Sequence, residues 1–183
     1  MDIAGLLGGV GAPLRVFAFF CRHPGERLHT GGVAEKTGSS YGAAFKALRS
    51  LGKAGLLERA SVGRTLAYFL RDCAETRAFK VFLNVLDAKK LLGGFFNGGV
   101  GRVVLYGSRS SGTNGGESDF DVVAVTAEKG RFAALAGKLA FGVPKVSVSL
   151  FTPLEWERIR RNDPAFYENV SKGIMLWEKT GGD

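Results

Sequence analysis

The stretch from Val103 to Val125, VVLYGSRSSGTNGGESDFDVVAV, constrains the fold of this chain more than any other part of the sequence. Its apolar ends, from Val103 to Tyr106 and from Val122 to Val125, predict two strands, and the polar middle predicts a loop. Glycine and serine dominate that loop, so its backbone N–H groups can approach a phosphate closely. The sequence therefore predicts a phosphate-binding loop between two strands.

Asp119 and Asp121 lie near the start of the second of these strands. Because strand side chains alternate between faces, both carboxylates should point the same way while Phe120 points into the core. Neighbouring carboxylates repel each other, and a bound divalent cation compensates that repulsion. Magnesium is typically held by one or two carboxylates plus substrate phosphates. The pair therefore predicts a Mg²⁺ (or Mn²⁺) site beside a loop that holds nucleotide phosphates.

At these residues the chain resembles the DNA polymerase β-like nucleotidyltransferases, in particular their minimal branch. The pattern of that family is Gly-Ser, a spacer, and Asp-x-Asp on the next strand. Here Gly107 and Ser108 are followed by ten residues and then by Asp119-Phe120-Asp121. The resemblance covers roughly Arg102 to Glu178 and includes three further positions of the minimal form: Arg109, Gly112 and Ser118.

The resemblance implies a role for each matching residue. It makes Asp119 and Asp121 the catalytic and metal-binding residues. The nucleotide-binding residues that it implies are Gly107, Ser108, Arg109 and Ser118. A purely structural Gly/Ser loop remains an alternative. A P-loop does not, because the lysine before Thr113 is missing and the loop leads into a strand.

The third carboxylate of this family is missing from its expected strand. Members carry it on the third strand, facing the other two. Here the strand predicted from Val143 to Phe151 offers only Ser147 and Ser149. We therefore expect one of two functions, with a protein-interaction scaffold formed by both domains as a further alternative. One is metal-dependent transfer of a nucleoside monophosphate from an NTP, with ATP favoured, to an acceptor hydroxyl. The other is a DNA-binding regulator whose degenerate transferase domain senses nucleotide or serves in assembly.

The amino-terminal residues predict three helices and a hairpin. The third helix begins after Ser39 or Ser40, and its apolar spacing predicts a core face of Tyr41, Ala44, Phe45, Leu48 and Leu51. Thr30 is the predicted cap of the second helix. The elements flanking the third helix are predicted at Leu14–Cys21, Thr30–Lys36, Leu56–Ala60 and Thr65–Leu70. This order resembles a winged helix-turn-helix domain.

Residues 1–72 carry 10 Lys/Arg against 5 Asp/Glu, an excess that fits a polyanionic partner. In a winged helix the third helix enters the major groove by its amino end. The DNA-binding residues predicted on this basis are Ser39, Ser40, Tyr41, Lys46, Arg49, Arg59 and Arg64. Winged helices also serve as protein-interaction or dimerisation modules, so a homodimer is one expectation.

The resulting fold class is α/β (α+β): a winged helix-turn-helix followed by a nucleotidyltransferase-type mixed sheet flanked by helices. We predict a winged-helix domain over 1–72, a linker helix with a Gly-rich connection over 73–98, and a nucleotidyltransferase-like domain over 99–183. The linker helix is predicted from Cys73 to Leu92, with Phe79, Phe82, Leu83 and Leu86 inward.

Cys21 and Cys73 are the only cysteines, which excludes a disulfide framework and favours a reducing cytoplasm. Arg15 and Arg22 interrupt the first apolar run, so no membrane span is expected. Minimal nucleotidyltransferases often modify a partner protein as antitoxins, so the resemblance implies a protein acceptor or toxin partner.

Overall fold

The computed structural model describes residues 11–63, 65–96 and 99–179. They form two compact units divided between Leu83 and Asn84, within the segment predicted as a linker. Helices and a mixed sheet confirm the predicted α/β class. Among the described residues, no helix combines the length and apolarity needed to cross a membrane.

The helices are α1 (Ala12–Arg22), α2 (Thr30–Thr37), α3 (Tyr41–Lys53), α4 (Ala74–Leu91), α5 (Ser108–Ser111), α6 (Lys129–Ala140), α7 (Pro153–Asn162) and α8 (Pro164–Ser171), with a 3₁₀ turn at Gly93–Phe95. The strands are β1 (Leu57–Val62), β2 (Thr65–Leu70), β3 (Val100–Tyr106), β4 (Phe120–Thr126), β5 (Val146–Phe151) and β6 (Ile174–Glu178).

The first unit contains α1 to α3 and the antiparallel β1–β2 hairpin. Its core is built around side chains such as Phe20, Val33 and Leu48, which are fully buried. Gly38 ends α2 in the left-handed conformation (φ 59°), which glycine adopts without strain. This order of elements is the one expected of a winged helix, and the assignment itself stays a prediction.

The predicted core face of α3 is wrong at two positions. Tyr41 is 64% exposed and Phe45 is 46% exposed, whereas Ala44, Leu48 and Leu51 are buried as expected. Ala47 fills the remaining core position. Ala44 and Ala47 form the buried face of α3 together with Leu48 and Leu51. Tyr41 and Phe45 lie on the adjacent stripe of the helix, outside this buried face.

Three further local predictions needed correction. Phe82, expected inward on α4, is 43% exposed. His29, and not Thr30, caps α2, since its Nδ1 accepts the Gly32 N–H at 2.9 Å. β1 reaches two residues further toward the turn than predicted, to Val62 opposite Thr65, whereas β2 has the predicted bounds Thr65–Leu70. Arg64 lies outside the described residues.

The second unit contains a four-stranded sheet in the order β5-β4-β3-β6. β3 pairs antiparallel with β4 and β6, while β4 pairs parallel with β5 through the α6 crossover. One sheet face buries Val103, Leu105 and Phe120 against helical side chains that include Phe132. The opposite face carries a smaller cluster with Trp156 of α7 and Val170 of α8.

Gly173 joins α8 to β6 at a very close approach. A Cβ at this position would lie 2.5 Å from the Leu105 carbonyl oxygen of β3. α8 ends at Ser171, and Gly173 leads directly into β6, which begins at Ile174. The approach fixes the end of α8 beside the end of β3, where the candidate site begins.

Candidate nucleotide-binding site

The strand register places Asp121 in the middle of the sheet. It pairs with Tyr106 of β3 on one side and with Ser147 of β5 on the other. Paired residues share a face of the sheet, so these three side chains point the same way. Phe120 is 1% exposed on the opposite face, as the alternation of the strand predicts.

Gly107 brings the loop against this carboxylate. Its φ is 72°, a conformation that side chains other than glycine rarely adopt. A Cβ at Gly107 would lie 2.8 Å from Asp121 Oδ2. Both the backbone conformation and the space therefore require glycine between β3 and α5.

An open cleft of about 400 Å³ lies over this loop. One wall is formed by loop residues: Gly107, Ser108, Ser110, Ser111 and Thr113. Asn169 and Lys172, at the end of α8, form the other wall. No sequence pattern indicated these two residues, because the close approach at Gly173 is what brings them to the loop. The cleft combines small polar groups with one ammonium, which suits a phosphate chain.

Arg109 is turned into the protein, and its side chain is 8% exposed. Its Nε and Nη2 donate to the Ser118 carbonyl at 3.0 and 2.6 Å, and its Nη1 donates to Asn84 Oδ1 at 3.0 Å. The guanidinium also lies 3.9 Å from the centre of the Phe120 ring. Burial lowers the pKa of Arg109, and the acids Asp87, Asp119 and Asp121 oppose that shift.

Asn84 completes this buried network and was missed by sequence reasoning. Its Nδ2 donates to the Arg109 carbonyl at 2.9 Å and to Asn114 Oδ1 at 3.0 Å. Ser118 is also held in the loop, because its hydroxyl accepts the Gly115 N–H at 2.9 Å. In this structure Arg109 and Ser118 therefore tie the two ends of the loop together.

The two carboxylates differ in their surroundings. Lys145, just before β5, places its Nζ 3.0 Å from Asp119 Oδ2. Burial raises the pKa of Asp121, the Asp119 charge adds to the rise, and Lys145 and Arg109 oppose it. Burial also raises the pKa of Tyr106, with a contribution from Asp121 and an opposing hydrogen bond with Ser149.

The donor set fits Mg²⁺ or Mn²⁺ held jointly with a nucleotide. Asp119 and Asp121 supply carboxylate oxygens, which these hard cations prefer, and substrate phosphates would complete the coordination. Ser147 occupies the register position beside Asp121. Over the part of the chain that the structure describes, no group of three or more His, Cys, Asp or Glu could hold a metal by itself.

The predicted DNA-binding residues all belong to the first unit. Ser40 caps α3 by accepting the Ala43 N–H at 3.2 Å, and Ser39 Oγ accepts a hydrogen bond from Thr37. The remaining described members lie on the exposed side of α3 and on β1: Tyr41, Lys46, Arg49 and Arg59. Arg64 cannot be placed, since it falls outside the described residues.

Residues 89–164 match the family model of the nucleotidyltransferase domain. The match includes the loop and both carboxylates and confirms the nucleotidyltransferase part of the predicted resemblance. No comparison bears on the winged helix, which stays a prediction. A search of curated proteins found no match to this chain.

Two solved structures are similar to part of the chain. A toxin-antitoxin crystallised with AMP-PNP is 26% identical over 53% of this chain and 75% of its own, with a TM-score of 0.37. A mutant of the toxin-antitoxin MntA-HpeT is 23% identical over 52% of this chain and 74% of its own, with a TM-score of 0.36. Both TM-scores are below 0.5, so neither structure establishes a partner or an assembly for this chain.

Proposed function

We propose that the second unit transfers a nucleoside monophosphate from a metal-bound NTP, with ATP favoured, to an acceptor hydroxyl. The observation that carries this proposal is the contact between Gly107 and Asp121, where a Cβ would lie 2.8 Å from the carboxylate. Gly107, which lines the cleft of about 400 Å³, is thereby in contact with one of the two acids that we propose to bind the metal. The nucleotidyltransferase-domain match over residues 89–164 supports the same reaction class.

Within this proposal the cleft holds the phosphate chain of the nucleotide. Ser108 and the backbone of the α5 turn contact the phosphates from one wall, and Lys172 contacts them from the other. Arg109 and Ser118 act on the loop, since their polar atoms are engaged with protein partners. Their proposed contribution to nucleotide binding is therefore to hold the loop in shape.

The reaction forms a bond between the acceptor oxygen and the α-phosphorus and breaks the bond to the bridging oxygen of the departing pyrophosphate. A bound Mg²⁺ or Mn²⁺ would neutralise the charge that develops on the phosphates. Asp119 and Asp121 would hold it, with Lys145 released from its ion pair with Asp119. We assign the acceptor proton to solvent, because a serine stands beside Asp121 at the expected place of a third acid.

The proposed acceptor is a hydroxyl on a partner protein, as the resemblance to minimal nucleotidyltransferases implies. The position of Asp119 is compatible with this, since its side chain is 35% exposed. A macromolecular hydroxyl could reach the α-phosphate from the open side of the cleft.

Label transfer from α-labelled ATP, GTP, CTP and UTP tests the proposal, with Mg²⁺ or Mn²⁺ and a cell extract as the acceptor source. The Asp119→Asn/Asp121→Asn double variant should lose transfer by on the order of 10³-fold, as expected for loss of the main charge-stabilising groups. Glu117→Gln removes an exposed acid from the same loop and serves as the matched control. Equal labelling by the wild type and the double variant would contradict the assignment.

A second candidate function is nucleotide sensing without transfer, coupled to DNA binding by the first unit. Ser147 favours this candidate because it stands where a third carboxylate would activate the acceptor. The two remaining carboxylates would be enough to bind a metal nucleotide but not to activate the acceptor hydroxyl. Calorimetry separates the two candidates. Metal-dependent ATP binding that requires both aspartates, in the absence of any label transfer, would establish the sensor.

A further inference from the structure

A concave groove on the first unit lies between α3 and the β1–β2 hairpin. It has a volume of about 510 Å³, and its apolar surface exceeds its polar surface. Leu48, Leu57 and Tyr68 form a buried floor, while Phe45 and Leu66 stand at the sides. We refer to this surface as the α3–hairpin groove.

The side chains of Phe45 and Leu66 remain solvent-accessible in the free chain, at 46% and 38% exposure. Tyr41, one turn before Phe45 on the same stripe of α3, is 64% exposed. Contiguous apolar side chains rimmed by polar groups mark surfaces that bind a partner. The groove is thus an apolar surface that the fold of this unit leaves uncovered.

The rim of the groove is basic. Arg49 and Lys53 extend from α3, and Arg59 lies across from them on β1. Within the part of the chain that the structure describes, none of these three cations forms an ion pair, and the nearby Glu58 is paired with Arg71. Three cations without acidic partners around an apolar floor match a ligand that combines negative charge with a bulky apolar group.

We propose that the α3–hairpin groove binds a short acidic segment of a partner protein, which inserts a large apolar side chain between Phe45 and Leu66. The flanking carboxylates of the segment would pair with Arg49, Lys53 and Arg59. This interaction is independent of nucleotide transfer in the second unit. The groove favours such a peptide over DNA because a phosphate backbone has no apolar group to place on the floor.

Two glycines of α3 provide a matched pair of test variants. Gly52 lines the groove, and a Cβ there would meet nothing within 4 Å. Gly42 lies on the same helix with equally open surroundings but does not line the groove. Gly52→Phe should therefore fill the groove without disturbing the fold. Gly42→Phe adds the same side chain near the amino end of α3, where DNA would be read.

The experiment is selection of random displayed peptides on the full chain, followed by affinity measurement of the enriched peptides. We expect enrichment of Asp/Glu next to Phe, Leu, Ile or Trp. The affinity should fall at least tenfold in Gly52→Phe and in Arg49→Glu/Arg59→Glu, and should stay within twofold in Gly42→Phe. Thermal unfolding of each variant verifies that it is folded.

Three outcomes overturn the proposal. The first is failure to enrich acidic, apolar peptides, or binding of such peptides that Gly52→Phe leaves intact. The second is binding of a duplex DNA pool that Gly42→Phe abolishes, with no peptide selected, which would assign this face to DNA. The third is sedimentation showing self-association that Gly52→Phe abolishes, with no peptide selected, which would assign the groove to a second copy of the chain.

Discussion

The cleft beside Gly107 and the α3–hairpin groove both have a glycine in the wall, but the two glycines face opposite constraints. At Gly107 a Cβ would meet Asp121 Oδ2 at 2.8 Å, and φ is 72°. At Gly52 a Cβ would meet nothing within 4 Å. The first glycine is required by the fold around a carboxylate. The second leaves space that this chain does not use.

The two regions also differ in whether their charged side chains form ion pairs within the chain. Lys172, on the wall of the cleft, is paired with Glu168 at 2.7 Å, and Asp119, near the loop of the cleft, is paired with Lys145. In the groove, Arg49 and its neighbours have no acidic partner among the described residues. The charged groups at the cleft are thus paired within the chain, whereas those at the groove face solvent and are available to a ligand.

Among the single substitutions, Gly107→Ala has the largest expected effect. The added Cβ strains a left-handed backbone and displaces Asp121, so we expect label transfer to fall on the order of 10²-fold. The free energy of unfolding should fall by about 1–3 kcal/mol. Gly116→Ala, in the same loop but with nothing within 4 Å, is the control and should change transfer less than twofold. Full activity of Gly107→Ala would show that position 107 does not require glycine and therefore does not differ from position 52 in this respect.

Arg109→Lys tests whether the loop is preassembled by the buried network. Lysine cannot reproduce the forked donation to Ser118 and Asn84, so we expect a loss of about 2 kcal/mol in unfolding free energy. Chemical denaturation measures this loss. Arg102→Lys, at an exposed ion pair with Glu178, should cost less than about 0.5 kcal/mol. A large rise in the KM for NTP without any loss of stability would instead make Arg109 a direct nucleotide ligand.

The sequence was sufficient where a local period decides the structure. The alternation of Phe120 and Asp121 follows from strand geometry alone, and the structure has Phe120 buried on the face opposite Asp121. The glycines of the loop were expected to let its backbone approach a phosphate, but the contact of Gly107 with a carboxylate was not predicted. That carboxylate, Asp121, is brought there by the adjacent pairing of β3 and β4.

The sequence was insufficient where distant segments meet. Asn84 and Lys172 reach the loop only because α4 and α8 pack near the end of β3, and no period in the sequence encodes that contact. Tyr41 and Phe45 misled the prediction for α3 because apolar spacing alone does not reveal which of two adjacent stripes is buried. The error is informative for Phe45, because this exposed residue lines the proposed docking groove.

Lys172→Ala should have a moderate and selective effect. Removing one ammonium from the cleft should raise the KM for NTP about tenfold, equivalent to about 1.4 kcal/mol, with kcat little changed. Lys138→Ala removes the same charge from α6, away from the cleft lining, and should leave the KM unchanged. Steady-state kinetics at two ionic strengths provides the measurement. Equal effects of the two variants would mean that net charge, and not the cleft wall, determines the KM.

The smallest expected effect is that of Gly52→Ala, and it should have the opposite sign. Gly52 lies inside α3 with open space around it, so alanine should stabilise the chain by about 0.5–1 kcal/mol through its higher helix propensity. Gly42→Ala should give a similar gain, since it lies on the same helix without lining the groove. Thermal or chemical unfolding measures both. If both variants stabilise the protein but only Gly52→Ala weakens binding of a selected acidic peptide, the glycine at position 52 is retained to keep the groove open. Equal binding by both variants would show that the groove tolerates a methyl group, and the larger Gly52→Phe change would then define how much space the partner needs.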